Sequence, residues 1–184
     1  MNILAFSGSL RKDSFNTALL DAFVAAAPED VSIERADIST LPLFNEDAEA
    51  AFPQAAADLK AKIRAADGLL IATPEYNRSI PGVLKNAIDW TSRPYGDNAW
   101  DGKPVYVIGA SIGPVSAAIA QYDLKKVMLY LNAHVLGQPE FHLGLAQGKF
   151  DAAGVLTDED SKGYVRKALE AFVSHIRMVT ARPS

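Results

Sequence analysis

The residues with the clearest capacity for chemistry stand in one run near the N-terminus, Ser7-Gly8-Ser9-Leu10-Arg11-Lys12-Asp13-Ser14-Phe15-Asn16. The apolar stretch Asn2 to Ser7 leads into it, and helical spacing begins inside it at about Ser14. A helix N-terminus offers unpaired N–H groups and the positive end of a dipole, Ser9, Ser14 and Asn16 add neutral donors, and Arg11 adds a planar forked cation. That set suits a phosphate monoester. The dipole contributes only about 0.3–1 kcal/mol at an exposed site and about 2 kcal/mol when partly buried, so charge-assisted hydrogen bonds must carry most of the binding. The run has neither the second glycine followed by lysine and a hydroxyl of a Walker loop nor the G-x-G-x-x-G pattern, so nucleoside triphosphate and Rossmann-type dinucleotide binding lose support. The plain alternative is a helix cap and a turn built from the same residues. Asp13 would repel a phosphate that it faced.

A second run, Pro74-Glu75-Tyr76-Asn77-Arg78-Ser79-Ile80-Pro81-Gly82, comes after another apolar stretch. Proline fixes its entry, the backbone N–H groups after it stand outside any ladder and can face acceptors on a flat heteroaromatic ring, and Tyr76 supplies an apolar face with a polar tip. An ordinary turn into a helix would look the same. A third pattern, Gly109-Ala110-Ser111-Ile112-Gly113, matches the nucleophile elbow G-x-S-x-G. A serine hydrolase would use Ser111 with an acid such as Asp123 or Asp151 and His142 or His175 as base. Five residues with two free positions match often by chance, and a hydrolase leaves the first two runs unexplained.

These runs need a frame that brings them together. Hydrophobic periodicity gives strands alternating with amphipathic helices, the pattern of a parallel sheet covered on both faces. Five strands are expected: Asn2 to Ser7, Val31 to Ala36, Gly68 to Thr73, Lys103 to Ala110, and a short one from His134 to Leu136. Helices are expected from about Ser14 to Ala27, Pro53 to Ala66, Pro81 to Trp90, Ser116 to Asn132, and from Thr157, capped with Asp160, to about Val179. Tyr122, Met128, Leu129 and Tyr130 of the fourth helix are expected mainly as core. Five strands with right-handed crossovers suit the flavodoxin-like order 2-1-3-4-5, in which ligands bind beyond the carboxyl ends of the strands. The first two runs then share one edge.

Composition narrows the chemistry. A chain of 184 residues fits a single domain that buries about 70% of its unfolded surface. A net charge of −4 gives no polyanion-binding face, so nucleic acid is a poor partner. No cysteine is present, which excludes disulfides, thiolate metal sites, cysteine catalysis and a cysteine-dependent phosphatase, so redox work requires a cofactor. The apolar start is too short for a signal segment and nothing reaches membrane-span length, which makes a cytoplasmic location the expectation, with no membrane partner.

Taken together, the runs resemble the NADPH-dependent FMN reductase family, in the flavodoxin-like group that includes chromate and quinone reductases and some azoreductases. The resemblance rests on Gly8 to Asn16, on Thr73-Pro74-Glu75-Tyr76-Asn77, on Pro81-Gly82-Val83-Leu84-Lys85-Asn86-Ala87-Ile88-Asp89-Trp90, and on the Gly-Lys-Pro-Val start of the fourth strand at Gly102. It covers about residues 1 to 142. It implies that Ser9, Arg11, Ser14 and Asn16, with the backbone around Phe15, hold the phosphate of FMN, that Pro74, Glu75, Tyr76 and Asn77 line its isoalloxazine, and that Ala110 and Ser111 complete the pocket. Family members carry glycine, serine or aspartate at the place of Asp13, so the resemblance implies a side chain that points to solvent. The resemblance further implies NADPH or NADH as co-substrate, a ping-pong transfer to a small acceptor (quinone, flavin, azo compound or chromate), no side chain as acid or base, and a homodimer or homotetramer. The rival within the same fold is a flavodoxin-type electron carrier without a nicotinamide site; such carriers are more acidic and less similar in the Pro-Glu-Tyr-Asn region.

Overall fold

The computed structural model describes residues 1–181. Four strands, β1 (Asn2–Ser7), β2 (Ser32–Ala36), β3 (Gly68–Ala72) and β4 (Pro104–Ala110), are parallel, and with β5 (His134–Val135) they run in the order β2-β1-β3-β4-β5. Every residue of β3 and β4 is buried, as expected of strands covered on both faces. Alternate side chains take opposite sides of the sheet. Ile3, Ala5, Leu70, Tyr106 and Ile108 pack with α1 (Phe15–Ala25) and α5 (Glu159–Thr180). Leu4, Phe6, Leu69, Ile71, Val105 and Val107 pack with α2 (Gln54–Ala65), α3 (Gly82–Thr91) and α4 (Ala118–Tyr130). Each large apolar side chain contributes about 1.5–3 kcal/mol on leaving water, so these two layers hold the loops in place. No helix among the described residues is long and apolar enough to cross a membrane.

The expected order is present, with one difference. The fifth strand is broken in two, because β6 (Phe141–Leu143) also pairs with β4, beyond β5. Between the paired positions Val105–Val135 and Ile108–Phe141, β4 has Tyr106 and Val107 while its partner has Leu136 to Glu140. The excess residues step outward at Pro139, which has no N–H for a ladder, and the Tyr106 hydroxyl donates to the Pro139 carbonyl at 2.8 Å. The opposite edge, β2, turns Ser32, Glu34 and Arg35 outward, with Glu34 2.6 Å from Lys62 and Arg35 2.9 Å from Asp21.

Three local expectations change. The long polar stretch before α2 carries a 3-10 turn at Glu46–Ala51. The final helix is capped by Asp158, which accepts from the Ser161 N–H at 3.0 Å, and not by Thr157 with Asp160. A carboxylate is the stronger acceptor, and Lys149 at 2.9 Å neutralises it. On α4, Leu124 and Met128 enter the core, but Tyr122, Leu129 and Tyr130 lie on the outward face.

Glu140 fastens the broken strand to α4: its Oε1 is 2.6 Å from Lys125 Nζ and its Oε2 3.4 Å from His142 Nε2. The Lys125 hydrogen bond first, then the Tyr122 hydroxyl and His142, hold the Glu140 carboxyl down at about 2 against the opposing effect of burial. A depressed folded-state pKa contributes stability above the ordinary carboxylate range that is lost as pH falls through the folded value. Glu140→Gln should therefore lower unfolding free energy at pH 7 by about 1–2 kcal/mol, the worth of a partly exposed charged hydrogen bond. In denaturant titrations at stepped pH the gap from wild type should close between about 4.5 and 2; a gap constant with pH would assign the loss to packing.

Candidate functional site

The run after β1 lies against β3 because Gly8 has no side chain. Its N–H donates to the Ala72 carbonyl at 2.8 Å, and a Cβ there would stand 3.1 Å from Pro74 Cδ, 3.2 Å from Leu84 Cδ2 and 3.3 Å from the Ala72 carbonyl. That close approach sets the first and second runs side by side at the carboxyl edge, the place where this strand order changes direction. Ser9 is buried, accepts from the Arg11 N–H at 3.3 Å, and has its Oγ 3.4 Å from the Tyr76 hydroxyl, which joins the two runs. Ser14 caps α1, its Oγ accepting from the Asn16 and Thr17 N–H groups at 3.2 and 3.4 Å; its own proton has no acceptor among the described residues. Among the described residues the N–H groups of Lys12, Asp13 and Phe15 have no acceptor, while Arg11, Lys12 and Asp13 are exposed. Unengaged amides beside an exposed guanidinium are the donor set of an anion site.

Two members of this group behave differently from expectation. Asn16 is buried and faces Ala110: its Oδ1 accepts from the Ala110 N–H at 2.9 Å and its Nδ2 donates to the Ala110 carbonyl at 3.0 Å. A carboxamide engaged on both sides is a clamp between α1 and β4, and at most its second N–H is left for a ligand. The Phe15 ring lies 5.7 Å from that of Phe150, so what this residue presents to the cleft is its amide.

The second run folds into a tight turn. Tyr76 and Ser79 exchange both backbone hydrogen bonds at 3.0 and 3.1 Å, with Asn77 at φ 51° and Arg78 at φ 65°, the signs of a type I′ turn. The Tyr76 N–H, expected to be unladdered, is thus engaged within the turn, whereas the Asn77 and Arg78 N–H groups at its tip, like those of Glu75 and Ile80 beside it, have no acceptor among the described residues. Tyr76 leaves its ring half exposed beside Ser9. The Glu75 carboxylate reaches the start of α4, where Oε2 accepts from the Ile119 and Ala120 N–H groups at 3.1 and 3.2 Å, and its Oε1 lies 3.0 Å from Arg78 Nη1. The Ser79 hydroxyl donates to Asp123 Oδ2 at 2.8 Å, and that bond, followed by Lys126, lowers the Asp123 pKa.

The third pattern is not a nucleophile elbow. Ser111 donates its N–H to the Leu143 carbonyl, accepts at its own carbonyl from Ala146, and has its Oγ 3.2 Å from the Gly113 N–H. His142 faces Gln121 through Nδ1 and Glu140 through Nε2, and His175 meets the His134 carbonyl, so neither base candidate meets Ser111. Ala110 and Ser111 do stand at the same edge as the other two runs, at the end of β4. Sequence reasoning misses the left-handed pair just beyond them, Ser116 and Ala117, both at φ 58°, which brings the chain into α4. The Gly113-Pro114 punctuation is the one signal for an irregular segment here. Sequence reasoning also misses Thr17, whose hydroxyl lies 2.8 Å from that of Ser7 under the first run.

Comparison with known proteins gives similarity over nearly the whole chain. Residues 1–148 match the family model described as NADPH-dependent FMN reductase. A 2-hydroxy-1,4-benzoquinone reductase from a Burkholderia species is 44% identical over 177 residues, covering 96% of this chain and 97% of its own. An NAD(P)H-dependent FMN reductase from Pseudomonas aeruginosa is 46% identical over 178 residues, with 96% of each chain covered. Among solved structures, the flavoenzyme NAD(P)H:(acceptor) oxidoreductase of Paracoccus denitrificans superposes with a TM-score of 0.90 at 39% identity, covering 96% of this chain and 97% of that one.

The Asn16 clamp makes a direct prediction. Asn16→Ala leaves a buried N–H and a buried carbonyl of Ala110 without partners, at about 1–3 kcal/mol for an unsatisfied group. The substitution should cost about 2–3 kcal/mol in urea unfolding of the ligand-free protein, whereas Arg11→Ala, at an exposed position, should stay within about 0.5 kcal/mol. Equal stability of the two variants would show that the clamp bears no load.

Proposed function

The chain belongs to the NADPH-dependent FMN reductase family, and on that premise we propose that it carries electrons from NADPH or NADH through FMN to a small acceptor, held where the first two runs meet. The observation that carries this reading is the pairing of two groups of unengaged N–H donors at one edge of the sheet. One, at Lys12, Asp13 and Phe15, stands beside a guanidinium; the other, at Asn77 and Arg78, stands beside an aromatic face. The first suits a phosphate and the second the polar rim of a flat ring, so the residues present fit FMN. The chemistry supplied by bound FMN is two-electron exchange, hydride in from a nicotinamide and electrons out to an acceptor.

The chain's residues bind and orient. Arg11, the Ser9 and Ser14 hydroxyls and the first-run amides hold the phosphate, while Pro74 to Asn77 set the plane of the ring. N–H groups of Asn77 and Arg78 favour negative charge on it, by the preorganised electrostatics of an oxyanion hole. No side chain is assigned as acid or base. The open side next to Tyr76 admits nicotinamide and acceptor in turn, which gives a ping-pong cycle. The name of the Burkholderia relative supports a quinone as the acceptor class.

A second copy of the chain would provide the missing wall. Ile112, Val115, Ile119 and Tyr122 are exposed along the start of α4 and the segment before it, next to the Glu75 contact. An apolar face that packs on its own copy closes by two-fold symmetry. Light scattering should give a mass of two or four chains, and Ile119→Glu should shift it toward one; a wild-type monomer would remove the second copy from the site.

Purified protein should take up FMN with bands at about 370 and 450 nm, the cofactor's own absorption, and bleach anaerobically with a nicotinamide. FMN uptake without bleaching would reassign the chain as an electron carrier, and no uptake would overturn the reading. Arg11→Ala should weaken FMN by about 1.5–3 kcal/mol, the range for a hydrogen bond to a charged group, and leave riboflavin, which lacks the phosphate, nearly unchanged. Lys12→Ala should lose little beyond screened attraction. Equal losses of FMN and riboflavin in Arg11→Ala, measured by fluorescence titration, would show that Arg11 does not meet the phosphate.

A further inference from the structure

Two stretches of backbone near the Glu75 carboxylate are held in the left-handed region without glycine. Asn77 and Arg78 lie at φ 51° and 65°, and Ser116 and Ala117 both at φ 58°. For L-residues other than asparagine and aspartate this region costs about 1 kcal/mol or more each, so such pairs persist only where their surroundings impose them. Glu75 bonds to the first stretch and to the helical turn that follows the second. Its Oε1 is 3.0 Å from Arg78 Nη1, and its Oε2 accepts from Ile119 and Ala120, the residues that carry the chain from Ser116 and Ala117 into α4. The residue at the N-cap of α4, Ala117, has no side chain to cap with, so the helix takes its cap from a loop more than forty residues earlier in sequence. The Glu75 side chain is only 11% exposed, which shields this contact from water. Ser79 and Asp123, 2.8 Å apart, tie the same turn to the same helix a second time.

We infer that Glu75 is a positioning residue: its carboxylate couples the Tyr76–Ser79 turn to the start of α4, so that the Asn77 and Arg78 N–H groups are presented to the isoalloxazine in a geometry fixed by that helix. This rests on the FMN reading of the same site. The carboxylate itself touches no ligand. Its charge is favourable at the positive end of the helix dipole and opposite Arg78, and a neutral amide of the same shape keeps neither advantage. Its NH2 group would also face a guanidinium that only donates. The consequence falls on the ring end of the ligand and not on the phosphate end, the reverse of the pattern expected for Arg11→Ala.

The test is Glu75→Gln, with Ser79→Ala as a milder variant that carries the same test through the second tie should the first not fold. Hydrogen exchange on the ligand-free protein reads the cap directly: the Ile119 and Ala120 amides should exchange faster in Glu75→Gln. Fluorescence titration should then show FMN and riboflavin weakened alike, by about tenfold, the size of one charge-assisted contact, and by less in Ser79→Ala. Faster exchange with both flavins bound as tightly as in wild type would make Glu75 a helix cap and nothing more, overturning the coupling alone. Exchange unchanged in both variants would remove the cap as well. A wild-type chain that takes up neither flavin overturns the FMN reading, and the inference with it.

Discussion

A buried carboxamide and the last residue of a central strand exchange two hydrogen bonds, and that exchange dictates the geometry of the site. Asn16 meets the Ala110 N–H and carbonyl at 2.9 and 3.0 Å, across a sequence separation of 94 residues. An unpaired amide in this dry position costs more than a typical hydrogen bond gains, so the start of α1 cannot slide relative to the end of β4. With α1 fixed, Ser14 can cap only one turn, and the run from Ser9 to Ser14 must bridge a set distance. Gly8 then favours the path which that run takes, since a Cβ would sit tightly against Pro74 and Leu84, at 3.1 and 3.2 Å. The site is a by-product of two packing constraints, each in the hydrophobic interior beneath it.

Its electrostatics have a corresponding economy. Nearly all the unengaged donors are backbone N–H groups, which cost no side-chain entropy to hold still. The forked cation of the first run, Arg11, stands in solvent, where its attraction is long-ranged but screened by salt. Acidic groups close to the turn, Glu75 and Asp123, are turned away from the cleft and used on α4. Those two carboxylates are thereby neutralised by donors on or beside α4, which leaves Asp13 as the exposed carboxylate of the first run.

Strand order, the two principal runs and the faces of most helices are legible in the sequence because each is written in local pattern. Period-two and period-3.6 spacing identify elements, and glycine and proline punctuate the loops between them. The features that are not legible depend on contacts between distant residues. Nothing local distinguishes a glutamate that lines a pocket from one that caps a helix more than forty residues later, so the sequence places Glu75 by its backbone alone. Asn16 looks like a ligand donor for the same reason. β6 is a three-residue strand whose pairing is set by where Pro139 lets the chain return to β4, and so short a segment has no period. The outward tyrosines of α4 read as core because a helix with apolar residues on several faces does not declare which one the sheet takes.

The broken fifth strand and the charged second strand have a consequence for how copies of this chain can meet. A parallel sheet ends in two rows of unpaired backbone groups, and either row is a template on which another chain could extend the ladder. At one border the row is interrupted after two residues and resumes only past Pro139; at the other, Glu34 and Arg35 stand in the way, each already paired with a neighbour. Open-ended growth by strand addition is thus discouraged at both borders. An exposed apolar face on the helical side, such as that of Ile112, Val115, Ile119 and Tyr122, can then be carried without the sheet borders becoming a seed for fibres.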